Sequence, residues 1–320
     1  MRSATVARTV SEPSVAPTFS QILYGLTVSS NIQLPSLPSS SGESDLTIEF
    51  GPFAVPENEP VRRTPVFTLA RTSDGYLFDF PDGVRYTVDA RAAQIRVSWP
   101  PQFDARYAAT YLMNVVMALV MRLRGHEVLH ASAALIDGSA ILIAGPSGAG
   151  KSTLAALLAL RGFSIITEDV AAIVDRGDRF AVIAAHPRVR LWTDAAELLF
   201  GAAERLPLIA NDDWKRAFDT GERFERGAFD IAAIYSLDDR RDDPHAPLVE
   251  ALEGRDALVD LIASSYTNIS PAREMTADEF ERLGRMARSI PMRLAIPHRD
   301  LRTAPKLADA IVEDVRACVA

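Results

Sequence analysis

Only one cysteine, Cys318, occurs in the 320 residues, so neither a disulfide framework nor a cysteine-built metal centre can form within one chain. Basic residues are in deficit. Lys and Arg number 34 against 42 Asp and Glu, a net charge of −8, which argues against a surface that coats nucleic acid. Long apolar runs are also missing. The opening stretch MRSATVARTVSEPSVAPTFS lacks the continuous apolar core of a secretory signal and reads as a flexible tail over residues 1–19. The most apolar helical window, Tyr111–Val120, is interrupted by Asn114 and is too short to span a bilayer. Together these absences lead to the expectation of a cytoplasmic protein with no nucleic-acid and no membrane partner. Nothing in the sequence decides whether it forms a homo-oligomer.

What is present is a soluble, globular composition, 48% hydrophobic and 24% charged, in a chain long enough for two domains. Residues 20–104 read as a small β-rich domain. Val66–Ala70, Tyr76–Phe80, Val84–Val88 and Ile95–Trp99 carry β-branched or aromatic residues, with Ser73-Asp74-Gly75 and Pro81-Asp82-Gly83 as turns. Leu46–Phe50 belongs to the same set. Residues 105–320 alternate strands and helices. Helices are expected over Ala105–Arg124, Ala195–Phe200, Pro247–Ala263, Thr276–Ile290 and Ala304–Val319, and Val128–Ile136 is expected to be one strand. Asp137-Gly138 is a two-residue hairpin signal leading into the strand Ala140–Ala144.

That strand runs into GPSGAGKS, followed by Thr153 and an Ala/Leu-rich helix. The pattern is the full G-x-x-x-x-G-K-[ST] of a phosphate-binding loop, in the strand–loop–helix context its chemistry needs. Gly145, Pro146, Ser147, Gly148, Ala149, Gly150, Lys151, Ser152 and Thr153 are therefore the candidate nucleotide-binding residues. Glycines allow the backbone N–H groups to turn inward, and a helix N-terminus favours polyphosphate. Lys151 supplies a point charge to the β and γ phosphates, and the Ser152 hydroxyl is a Mg²⁺ ligand. A dinucleotide dehydrogenase is disfavoured because the loop is not G-x-G-x-x-G, and an ABC-type ATPase because no LSGGQ-like segment follows.

Glu168 and Asp169 stand at the end of the next strand, Phe163–Thr167, where P-loop proteins place acids that hold Mg²⁺ or accept a proton from an attacking hydroxyl. On an extended backbone the two would point to opposite faces. His130 lies in an apolar run, either as a core residue or as a donor to a phosphoryl oxygen. Arg188 and Arg190, two apart in HPRVRLW, are candidates for clamping phosphate or an acidic substrate. His186, beside Pro187, reads as structural.

In order and spacing these residues resemble the catalytic domain of the HPr kinase/phosphorylase family: His130, Asp137-Gly138, Gly145–Ser152, Arg161-Gly162, Phe163–Thr167 and Glu168-Asp169. The resemblance implies an α/β P-loop kinase domain of the HPr kinase type, a mixed sheet with a hairpin before the P-loop, preceded by the β-rich N-terminal domain. It implies a serine kinase that uses ATP and Mg²⁺ on a peptide or small protein. Asp169 would take the serine proton, Lys151 would neutralise phosphate, His130 would position the phosphoryl group, and Ser152 and Glu168 would hold the metal. The family's usual Asp-Asp pair is Glu168-Asp169 here, and its E-I-R-G-L-G motif is replaced by His186–Trp192. The run Arg190-Leu191-Trp192-Thr193-Asp194 is similar to a divergent branch, some members of which phosphorylate the C-terminal serine of lasso-peptide precursors. A small-molecule kinase and a nucleotide-binding regulator without transfer chemistry are the alternatives.

Overall fold

The computed structural model describes residues 18–209, 212–266, 269 and 275–319. Most of the expected tail, 1–17, lies outside the described residues. The chain adopts a mixed α/β fold built on two large mixed sheets and one small one.

The first sheet has eight strands: β1 (Phe19–Leu23), β2 (Leu26–Ser30), β3 (Leu46–Phe50), β4 (Asn58–Arg63), β5 (Thr68–Thr72), β6 (Gly75–Asp79), β7 (Arg85–Asp89) and β8 (Gln94–Ser98). Their order is β1-β2-β3-β8-β7-β6-β5-β4, with β3 parallel to both neighbours and the rest antiparallel. Period-2 burial, as in β3 and β7, turns Leu46, Ile48, Phe50, Tyr86 and Val88 inward. The sequence reading omits β1, β2 and β4. The β1–β2 turn is Tyr24-Gly25, both at positive φ (51° and 72°). A tyrosine there is uncommon, and it is held by burial and by its hydroxyl, which donates to Val170 O at 3.0 Å.

The expected helix Ala105–Arg124 is two helices, α1 (Ala105–Tyr111) and α2 (Met117–Leu123), joined by a wide turn in which Asn114 is non-helical. Asp104 caps α1 by accepting from Tyr107 N at 2.9 Å. Met117 to Met121 are fully buried, and they share one core with Leu23, Ile48 and Val97 of the first sheet and with Val170 and Ile183 beyond it. The two expected domains are therefore joined by a common interior.

The second sheet has nine strands. Those that carry the site are β9 (Glu127–Leu129), β10 (Ala131–Ile136), β11 (Ser139–Ala144), β12 (Ser164–Thr167), β13 (Ala171–Asp175) and β14 (Phe180–Ile183). The expected strand Val128–Ile136 is broken at His130: β9 pairs with β13, whereas β10 pairs with β11 and β12. Asp137 and Gly138, both at positive φ, close the β10–β11 hairpin with Ile136 opposite Ser139. Helix α3 (Lys151–Leu160) follows β11.

Next come β15 (Arg188–Trp192), α4 (Thr193–Phe200), β16 (Leu208–Ile209) and β17 (Asp212–Asp219). They are followed by β18 (Ala228–Leu237), β19 (Leu248–Ala251), α5 (Gly254–Ser264), α6 (Ala277–Ser289), β20 (Met292–Ile296) and α7 (Ala304–Val319). β18 runs parallel to both β11 and β20. β15, β17 and β16 form the three-stranded sheet. The expected helix Pro247–Ala263 is corrected: its first part is β19, antiparallel to β20, and only Gly254–Ser264 is helical. Pairing with the open side of β20 overrides the helix propensity of the segment. Among the described residues no helix is long and apolar enough to cross a membrane.

Candidate active site

The loop between β11 and α3 is fixed by glycines. Gly145 (φ 134°) lies against β18: a Cβ there would come within 3.0 Å of Leu237 O. Gly148 and Gly150 are also at positive φ, with open space around a Cβ at Gly148. Lys151, the first residue of α3, is buried and turns its ammonium back onto the loop, donating to Gly145 O at 2.8 Å and Pro146 O at 3.0 Å. Burial pulls its pKa below the ordinary lysine value, against the opposing pull of Asp169 and Glu168.

Thr167 ends β12, and the chain bends rather than continuing extended: Asp169 has φ 72°. The expectation that Glu168 and Asp169 face opposite sides is thereby corrected. Both carboxylates reach the same guanidinium, with Arg190 Nε 2.9 Å from Glu168 Oε2 and an Arg190 Nη 2.8 Å from Asp169 Oδ2. The other oxygen of each is also used. Ser152 Oγ donates to Glu168 Oε1 at 2.7 Å, and His130 Nε2 donates to Asp169 Oδ1 at 2.7 Å.

Ser152, Glu168, Arg190, Asp169 and His130 thus form one continuous network. Burial pushes the Asp169 pKa up, but Arg190 and His130 outweigh it and hold the carboxyl well below the usual carboxylate range. Burial opposes the charge on Arg190, yet the two acids raise its pKa above the ordinary arginine value. His130 sits at the break between β9 and β10. Its backbone N–H is tied to Ser264 O at 2.7 Å, and its ring lies 5.7 Å from that of Tyr266.

This network and the loop line one cavity of about 710 Å³. Its lining includes Val66, Phe67 and Phe80 from loops of the first sheet, Tyr111 from α1, and Trp192, Leu198 and Lys215. Lys215 Nζ lies 4.7 Å over the Trp192 ring. A second, apolar cavity of about 40 Å³ adjoins the loop, between Ala149, Leu154, Leu157, Leu237 and Pro297. Arg240, just beyond β18, lines both cavities, and its guanidinium would lie 3.8 Å from a Cβ at Gly150. Sequence reasoning misses Arg240. The available signal is its place just past the strand parallel to the loop strand.

The two expected clamp arginines separate. Arg190 is spent on the carboxylates, whereas Arg188 faces a different small cavity together with His186. Among the described residues no group of three or more His, Cys, Asp or Glu is placed to hold a metal. The donor set that suits Mg²⁺ is smaller and all oxygen: the Ser152 hydroxyl and the Glu168 carboxylate, already within 2.7 Å of each other beside the glycine loop.

No family model matches the chain, and no curated protein sequence matches it. Among solved structures it is similar to the Hpr(Ser) kinase/phosphatase from Coxiella burnetii, at 15% identity and a TM-score of 0.34, over 60% of this chain and 99% of that one.

Proposed function

We propose that the protein is an ATP- and Mg²⁺-dependent kinase that phosphorylates a serine hydroxyl of a peptide or small protein. The supporting observation is the single cavity in which a glycine loop, a lysine and a hydroxyl at a helix start meet two carboxylates, a histidine and an arginine. The polyphosphate of ATP lies along Gly145–Lys151, where inward N–H groups and the N-terminus of α3 favour anions. Lys151 exchanges its loop carbonyls for phosphate oxygens. Arg240 adds charge beside Gly150. Ser152 and Glu168 would hold Mg²⁺, which would supply charge neutralisation to the phosphates.

The acceptor hydroxyl enters from the large cavity and is oriented by Asp169. Its oxygen forms the new bond to the γ-phosphorus as the bond to the β–γ bridging oxygen breaks. ADP leaves with that electron pair, and the serine proton passes to Asp169. A carboxylate held well below its usual pKa is a weak base, which suits a transfer that rests mainly on positioning and charge stabilisation. His130 fixes the Asp169 carboxylate. Residues 20–104 serve as the acceptor-recognition part, because Val66, Phe67 and Phe80 line the same cavity. On the resemblance in Arg190–Asp194, the C-terminal serine of a lasso-peptide precursor is one acceptor to test.

Incubation with labelled ATP, Mg²⁺ and candidate precursor peptides is expected to label a peptide on serine. Labelling of small metabolites with every peptide blank overturns the reading. That outcome belongs to the second reading, a small-molecule kinase, which the cavity volume favours because it falls in the usual range for small-ligand pockets.

A further inference from the structure

Beside the large cavity, and sharing Thr110 and Arg190 with it, is a separate cavity of about 40 Å³. It is lined by Pro35 from the first-sheet loop, by Arg106 and Ala109 from α1, by Met113 from the turn that follows α1, and by His186 and Arg188. Two of its polar groups have no role in the site described above. His186 is 4% exposed, and its Nε2 has no hydrogen-bond partner among the described residues. Arg188 is half-buried and forms no hydrogen bond or ion pair among them.

The absence of a partner for Arg188 is specific. Its cross-strand neighbour is Asp219 on β17, the natural counter-ion. Asp219 acts on Arg188 through its charge but does not come within ion-pair distance, and its own oxygens accept from Ser36 Oγ and, at 2.8 Å, from Gly221 N. The other cations at the cavity are also taken: Arg190 by Glu168 and Asp169, and Arg106 by Asp104 at 3.0 Å. Arg188 and His186 therefore line one small space, and neither makes a hydrogen bond there among the described residues. Desolvated donors of this kind are matched by an oxyanion, for which arginine's planar fork is the best side-chain receptor.

We infer that this cavity is an oxyanion-binding site that takes a phosphate or carboxylate group between Arg188 and His186. The inference stands apart from the kinase reading, since it uses neither the glycine loop nor Asp169. The anion is either free or carried on the substrate that fills the adjoining cavity.

The test is a titration followed by the imidazole ¹H–¹⁵N signals, with His186 assigned through H186N among the five histidines. Inorganic phosphate and acetate are added separately at pH 7 without nucleotide. Lys151→Ala serves as background, so that phosphate held by the glycine loop does not contribute. A saturable displacement of the His186 signals is expected in wild type and in K151A. R188Q should bind at least tenfold more weakly, and R188K should fall between. A response to phosphate alone supports a free phosphate ion; a response to acetate as well supports an acidic group on the substrate. The inference is overturned if neither anion moves His186 in wild type, or if R188Q and R188K bind as tightly as wild type.

Discussion

Arg190 is the residue on which the site turns. It holds two carboxylates that would otherwise repel each other, with its side chain 14% exposed and that of Glu168 4% exposed. Removing one partner of a buried pair leaves an uncompensated charge, at a cost of about 3–5 kcal/mol. Arg190→Gln is therefore expected to lower stability by about that amount in denaturant unfolding. Asp169→Asn keeps the shape but loses the charge. Turnover should fall by about 10²–10⁴-fold with the KM for ATP little changed; an unchanged turnover removes Asp169 from the chemistry. Two pH effects follow from the surroundings of His186 and Asp169. Burial and the nearby Arg190 and Arg188 pull the His186 pKa down to about 3, below the ordinary histidine value of 6.5. The unfolded chain thus binds more protons between those values, so this contribution to stability is full above pH 6.5 and is lost as pH falls toward 3. Asp169 acts in the same direction at lower pH, since its folded pKa is depressed. H186N should flatten the pH dependence of the unfolding midpoint between pH 6.5 and 4, while leaving the more acid limb governed by Asp169.

At the scale of elements, the glycine loop was legible because its chemistry is local. Gly145–Ser152 needs a strand, positive φ and a helix start, and each has its own residue signature. Asp137-Gly138 was legible for the same reason. The split at His130, the β19 strand and the bend at Asp169 were not, because each is imposed by a distant partner: β13 and Ser264 for the first, β20 for the second, Arg190 for the third. The same distinction separates the glycines. Gly145 is pressed against Leu237 by strand pairing, whereas Gly148 faces open space. Gly148→Ala should cost only the positive-φ penalty, about 1 kcal/mol, and retain nucleotide binding. Gly145→Ala must also shift Leu237 of β18 by a few tenths of an ångström and should weaken binding of a fluorescent ATP analogue more than Gly148→Ala does. Equal effects of the two substitutions would remove β18 as the support of the loop.

Over the whole molecule, the compositional boundary near residue 104 marks a change of secondary structure but not of interior. Leu23 and Val97 share a core with Met117 and Val170, and Tyr24 and Arg124 add hydrogen bonds across the boundary. Calorimetry should therefore show one cooperative unfolding transition, with calorimetric and van't Hoff enthalpies equal; two resolved transitions would make residues 20–104 an independent unit. Patterning within each segment made β3 and β5 to β8 readable, but no local signal announces that the inner face of their sheet is completed by α2. The parallel pairing of β11 with β18 has a further consequence. A hairpin joins β11 to β10 through two residues, but Ala140 meets Ile231 only after the chain from α3 to β17 has been gathered in. Such pairings pay their loop-closure entropy early and are rewarded late. In pulsed hydrogen exchange during refolding, the β10–β11 hairpin should therefore be protected before the β11–β18 pairing: the loop is encoded locally, but its support waits on a distant strand.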